Sequence, residues 1–148
     1  MSQSSKVSKD FGAITVVSNP VVVESLTAPA TLDSEDSGKV FILNLAGGFT
    51  VTLPNPEDAK SGWNAEFIVG TAPTTAYIIT SGSADILAVG ASAEDAGGDS
   101  PSSDGTKDTN INFVANAALP GDRVRLVCDG TTYYASYLVG EIAHITLT

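Results

Sequence analysis

The sequence predicts an all-β protein: an antiparallel β-sandwich or barrel-like domain with an N-terminal extended arm. Three observations predict it. Apolar residues recur at every second position in short runs, the period of a half-buried strand. Those runs are separated by Gly, Pro and Asp-Gly turn signals. No stretch carries the 3.6-residue period of a long amphipathic helix.

Residues 1 to about 12 are rich in Ser and Lys and lack periodicity, so they read as an arm. Residues 1–26 are assigned to this arm and the first strands, and 27–148 to the β-sandwich domain. The first strands are Ile14–Val17 and Val21–Leu26, followed by Lys39–Leu45. Gly47-Gly48 then marks a hairpin turn into Phe49–Leu53, where Phe49, Val51 and Leu53 share one face and two threonines the other. One helical turn is expected at Pro56–Lys60. Asn55 could cap it, Pro56 fits the first helical position, and Glu57 and Asp58 favour its positive end. Ala65–Gly70, Ala76–Thr80 and Ile86–Val89 are the next strands.

An acidic, low-complexity loop follows at 90–110; a loop of that length in a compact domain is functional or mobile. Ile111–Ala115 resumes the β pattern, and Pro120-Gly121 turns into Arg123–Cys128, with Val124, Leu126 and Cys128 inward and both arginines outward. Asp129-Gly130 is the best two-residue hairpin signal, since both residues tolerate positive φ. It leads to Thr132–Val139. The last run, Ile142–Leu147, places Ala143, Ile145 and Leu147 inward and His144 on the solvent or interface face. The count is about eleven short strands, as in a sandwich or barrel.

The 148 residues suit one domain with one core. Lys and Arg number 7 against 17 Asp and Glu, a formal net charge of −10. That balance argues against nucleic acid and against an anionic membrane surface, both of which call for clustered cations. Only 16% of residues are charged, so the polar surface is built from small neutral side chains, which favours subunit contact. A single cysteine, Cys128, excludes an internal disulfide and a Cys-rich zinc site; it reads as a small buried hydrophobe. No export signal and no apolar run of about 20 residues is visible.

Catalytic constellations do not assemble. His144 is the one histidine, and no G-x-S-x-G elbow accompanies it. The carboxylates Asp33, Glu35, Asp36, Glu57, Asp58, Glu94 and Asp95 lie in turns, where solvated capping roles suit them. Asp95, Asp99, Asp104 and Asp108 could offer oxygens to calcium, but their spacing does not match a calcium loop. Trp63, Tyr77, Tyr133, Tyr134 and Tyr137 could stack on a sugar; core or interface roles account for them better. The expectation is a structural or binding protein, not an enzyme, with no cofactor and no metal.

Three stretches carry a resemblance. They are Ser37-Gly38-Lys39-Val40-Phe41-Ile42-Leu43-Asn44 with Phe49-Thr50-Val51-Thr52-Leu53-Pro54; Gly62-Trp63-Asn64-Ala65-Glu66-Phe67-Ile68-Val69; and Pro120-Gly121-Asp122-Arg123-Val124-Arg125-Leu126-Val127-Cys128-Asp129-Gly130-Thr131-Thr132-Tyr133-Tyr134. In this order they resemble small β-rich virion proteins of tailed bacteriophages, namely capsid decoration (cement) proteins and distal tail-fibre domains. The resemblance implies a homotrimer, no active site, and the major capsid protein as partner on the virion surface. The alternatives are a tail-fibre or receptor-binding β-domain and an unrelated β-rich binding protein. The chain opens at Met1 with its own arm, as expected of a separate gene product made in the host cytoplasm.

The arm is the expected partner-binding element, through Lys6, Lys9 and Phe11. Lys6 and Lys9 precede the first acid, Asp10, so this end is locally positive, and Phe11 adds an apolar anchor. The acidic loop is expected to face water away from the partner, since from Asp85 to Asp108 six acids (Asp85, Glu94, Asp95, Asp99, Asp104 and Asp108) stand against Lys107.

Overall fold

The computed structural model of the chain describes residues 3–6, 15–18, 20–82, 84, 86–92 and 108–148. The acidic segment 93–107, and Lys9 and Phe11 of the arm, lie outside the described residues. In chain order the strands are β1 (Gln3–Lys6), β2 (Thr15–Ser18), β3 (Val23–Leu26), β4 (Ala30–Thr31), β5 (Val40–Leu43) and β6 (Thr50–Thr52). One helical turn, α1 (Pro56–Ala59), precedes β7 (Ser61–Val69), β8 (Tyr77–Thr80) and β9 (Ile86–Ser92). The last four are β10 (Asn110–Phe113), β11 (Arg123–Asp129), β12 (Tyr133–Leu138) and β13 (Ile145–Leu147).

These strands form a two-stranded ribbon of β1 and β2 and two larger sheets. The six-stranded sheet runs β3-β5-β7-β11-β12-β9, and the five-stranded sheet runs β13-β10-β8-β6-β4. The chain is mostly β, as its alternation predicts. The sheets, however, are mixed and are not closed into a barrel, which corrects the antiparallel and barrel-like expectations. β3–β5, β5–β7, β4–β6, β6–β8 and β9–β12 pair in parallel. The reason lies in the connections between β3 and β8. Each strand there is followed by one in the other sheet, so the next strand to return lies parallel to its predecessor. Alternating hydrophobicity specifies which face is buried and leaves the direction of the neighbour open.

The Gly47-Gly48 turn shows this. It leads from β5 in one sheet to β6 in the other, so it is a crossing and not the hairpin expected. Gly48 adopts φ +65, and a Cβ there would collide with the carbonyl oxygens of Thr75 and Ala76. The Asp129 turn is a true β11–β12 hairpin, shifted by one residue. Asp129 N–H donates to the Thr132 carbonyl at 3.1 Å, leaving Gly130 and Thr131 at the centre. Only Gly130 of the two has positive φ.

Alternate residues of both sheets feed one core. Phe41, Phe67 and Leu126 come from the six-stranded sheet, and Val51, Tyr77, Ile79, Ile111 and Phe113 from the five-stranded one. Phe41 stacks on Phe67 across β5 and β7, and Trp63 meets Tyr133 edge-on. Burying each such ring contributes about 1.5–3 kcal/mol. Their polar tips are satisfied: Trp63 Nε1 donates to the Asp33 carbonyl at 3.0 Å and the Tyr133 hydroxyl to the Pro54 carbonyl at 2.6 Å. The Tyr77 hydroxyl accepts from Leu45 N–H and lies against the carbonyls of Thr71 and Leu43, tying both sheets together.

Two local expectations are corrected. The side chain of Asn55 makes no capping bond to α1; the Asn55 carbonyl instead takes the N–H groups of Asp58 and Ala59. The run Ile142–Leu147 is not one strand. Ile142–His144 is a single 3-10 turn ahead of β13. A three-residue turn shifts the alternation by one position, so Ala143 is exposed and His144 is buried with Ile145.

Candidate functional site

The outer face of the six-stranded sheet is the surface on which strand geometry gathers chemistry. Register places Val23, Val40, Glu66, Arg125 and Ser136 in one row across it. A second row holds Ser25, Ile42, Ile68, Arg123 and Leu138. Asn64, Val127 and Tyr134 begin a third. The alternation of β11, exposed at Arg123, Arg125, Val127 and Asp129, is what points these side chains outward.

Large apolar groups stand in water on this face. Val127 is 41% exposed, Tyr134 39% and Leu138 53%. Arg123 Nη1 pairs with Glu66 Oε1 at 3.5 Å, and the Tyr134 hydroxyl donates to Asp129 Oδ2 at 3.2 Å. Arg125 lies in register with Glu66. Beside it opens a cavity of about 370 Å³ lined by Val21, Lys39, Val40, Asn64, Glu66 and Arg125. Exposed aliphatics with Tyr and Arg, and few acids, are the composition of the centre of a protein interface.

Apart from Tyr134, the described candidate residues lie elsewhere, in separate parts of the fold. Lys6 is in β1, its backbone opposite Thr15. Asp33 and Asp36 serve a 3-10 turn: Asp33 accepts from Glu35 N–H and Asp36 from Asp33 N–H. Asp36 also holds the Lys39 ammonium at 2.6 Å. Partial burial pushes the Asp36 carboxyl up, yet Lys39 and the Asp33 N–H together hold it below its ordinary value. Trp63, Tyr77, Tyr133 and Tyr137 are buried and only Tyr134 of the five aromatics is exposed, so they form no stacking platform. Cys128 is buried, and burial raises its thiol. No group of three metal-ligating side chains occurs among the described residues.

One constellation escaped sequence reasoning. His144 Nδ1 and Asp122 Oδ2 form a buried pair at 2.7 Å. Asp122 follows Pro120-Gly121, a context that reads as a solvated turn, and His144 lies in the run whose period changes. The pair has its carboxylate filled by backbone donors, the N–H groups of Gly140 and Leu119, which is the work of a structural clamp. No protein-family model matches the chain, and no curated protein matches it.

Proposed function

We propose that this protein is a virion structural protein of a tailed bacteriophage, a decoration protein that binds the outside of the head across capsomer seams. In this reading its two sheets form a sandwich, it works as a homotrimer, and its partner is the major capsid protein. The N-terminal segment, with Lys6, Lys9 and Phe11, is the basic foot on the shell, and the acidic loop faces water. The observation that carries the reading is the outer face of the six-stranded sheet. There Val127, Tyr134 and Leu138 surround Arg123 and Arg125 on a protein of net charge −10. Such a face gains free energy by covering its apolar area, and its arginines favour an acidic rim on whatever covers it. Each copy would then act by burying area across a seam and opposing outward pressure from packaged DNA.

The test has two parts. Gold-labelled antibody against the protein should decorate heads in electron micrographs of virions. Stripped heads should bind the purified protein, and the double variant Arg123→Glu, Arg125→Glu should bind at least tenfold more weakly. Label confined to tails, or full binding by the double variant, would overturn the reading. A tail-fibre domain is the second reading, favoured by one observation. β3 and β4 are end strands of the two larger sheets, and these edges are where a neighbouring module could stack.

A further inference from the structure

β3 forms an edge that, among the described residues, no other strand covers. β3 ends the six-stranded sheet and is paired on one side only, to β5. The Val22 carbonyl accepts from Val40 N–H and the Leu26 carbonyl from Asn44 N–H. In a parallel ladder the backbone groups facing the partner recur at every second residue. Residues 22, 24 and 26 therefore face β5, and the N–H and C=O of Val23 and Ser25 point away from it. The edge is also apolar: Val22 is 54% and Val23 62% exposed. No Lys or Pro stands within β3, and its one charge, Glu24, is engaged by Lys39 at 3.4 Å.

The chain also carries a strand pair in need of a third. β1 and β2 are antiparallel in continuous register from Gln3↔Ser18 to Lys6↔Thr15, and they form a sheet of their own. An isolated two-stranded ribbon is marginally stable in water; a third strand or a covering layer makes it persist. β2 and β3 are each four residues long, so their ladders match.

We propose that the β1–β2 ribbon of one copy adds to the β3 edge of a second copy, extending its six-stranded sheet. The connection decides between the two sources of the ribbon. Val22 is already bound to Val40, so a reversal onto the chain's own β3 would have to be made within Asn19-Pro20-Val21. In the structure that reversal is not made: β2 pairs with β1, and among the described residues no strand takes the outer side of the chain's own β3. A short hinge between a strand pair and the edge it could cover is the circumstance that favours exchange between copies. Donated head to tail, the exchange is heterologous, and it forms a ring where the rotation between copies closes. This inference concerns the chain alone and holds wherever the protein works.

The experiment uses the full chain. Light scattering should give a multiple of the 15.1 kDa chain mass for the wild type, and 15.1 kDa for Val23→Pro with an unchanged circular dichroism spectrum. Proline at position 23 removes an edge donor and leaves the β5-facing groups of 22 and 24 in place. A monomeric wild type, or a folded Val23→Pro oligomer of undiminished mass, would overturn the proposal. Should Val23→Pro fail to fold, cysteine variants made in a Cys128→Ser background decide. Val17→Cys and Val23→Cys chains, mixed and mildly oxidised, should yield a covalent heterodimer faster than either chain yields its homodimer. Equal rates would overturn it.

Discussion

His144 Nδ1 lies 2.7 Å from Asp122 Oδ2, and both side chains are buried. A carboxylate only accepts, so Nδ1 carries the proton in this bond. Asp122 also takes Gly140 N–H on Oδ1 at 2.9 Å and Leu119 N–H on Oδ2 at 2.7 Å. One carboxylate thus ties together the entry to β11, the exit from β12 and the turn before β13.

Losing the acceptor should cost more than losing the ring. Asp122→Ala leaves two backbone donors and an imidazole without a partner, a loss of about 3–5 kcal/mol. His144→Leu leaves Asp122 still bound to two N–H groups and should cost about 1–3 kcal/mol. Urea unfolding of both variants checks the order; equal costs would mean that the backbone bonds contribute nothing.

Glycine is required at position 48 for two reasons and at position 38 for one. Gly48→Ala meets both a positive φ and the carbonyls of Thr75 and Ala76, whereas Gly38, at φ +85, has nothing within 4 Å of an added Cβ. Gly38→Ala should cost about 1 kcal/mol from backbone strain. Gly48→Ala should cost at least twice that, read as a larger fall in melting temperature.

The Asp129 turn should lose strength in acid. The N–H groups of Thr132 and Thr131 hold this carboxyl below its ordinary value of 3.8, against a small opposing push from burial. Because the folded pKa is depressed, the stabilisation is present above the unfolded pKa and is lost as pH falls through the folded one. Asp129→Asn keeps a neutral acceptor and lacks the charge. Its melting temperature should therefore lie below wild type at pH 7 and converge on it in acid, as pH falls below the ordinary value of 3.8. A gap that stays constant from pH 7 to pH 2 would refute the charged turn.

Much of the β content was legible because period-two runs such as Phe49-Thr50-Val51-Thr52-Leu53 state both the strand and its buried face. Pairing was not legible. Val40 beside Val23 and Glu66 beside Val40 are parallel neighbours brought together by crossings between sheets, and no local residue marks them. β4, only Ala30 and Thr31, is too short to show a period. Of the candidate surface, the outward arginines were readable from the alternation of β11. Their company was not, because Tyr134, Leu138 and Ile68 arrive from other strands through register. His144 was misread because a phase shift moved it to the buried face, and Asp122 was passed over because spacing after a Pro-Gly turn does not reveal burial.

Cys128 should be inert in the native protein. Burial raises its thiol, and Gly130 N–H donates to Sγ at 3.3 Å. A thiolate-directed reagent at neutral pH should therefore leave it unmodified for as long as the protein is folded and react at once in denaturant. Rapid labelling under native conditions would show that β11 opens locally.

The alternation of strands between sheets sets a problem on the ribosome. The parallel half, β3 to β8, emerges first, and its pairs join residues far apart in the chain, so it closes slowly. Until the C-terminal half arrives, β7 lacks β11 and β8 lacks β10, and each presents a bare ladder to the cell. The hairpin of β11 and β12, by contrast, is local and can form as soon as it is made. Yield during synthesis therefore depends on how quickly that last third follows the first two, a matter of translation speed as much as of final stability.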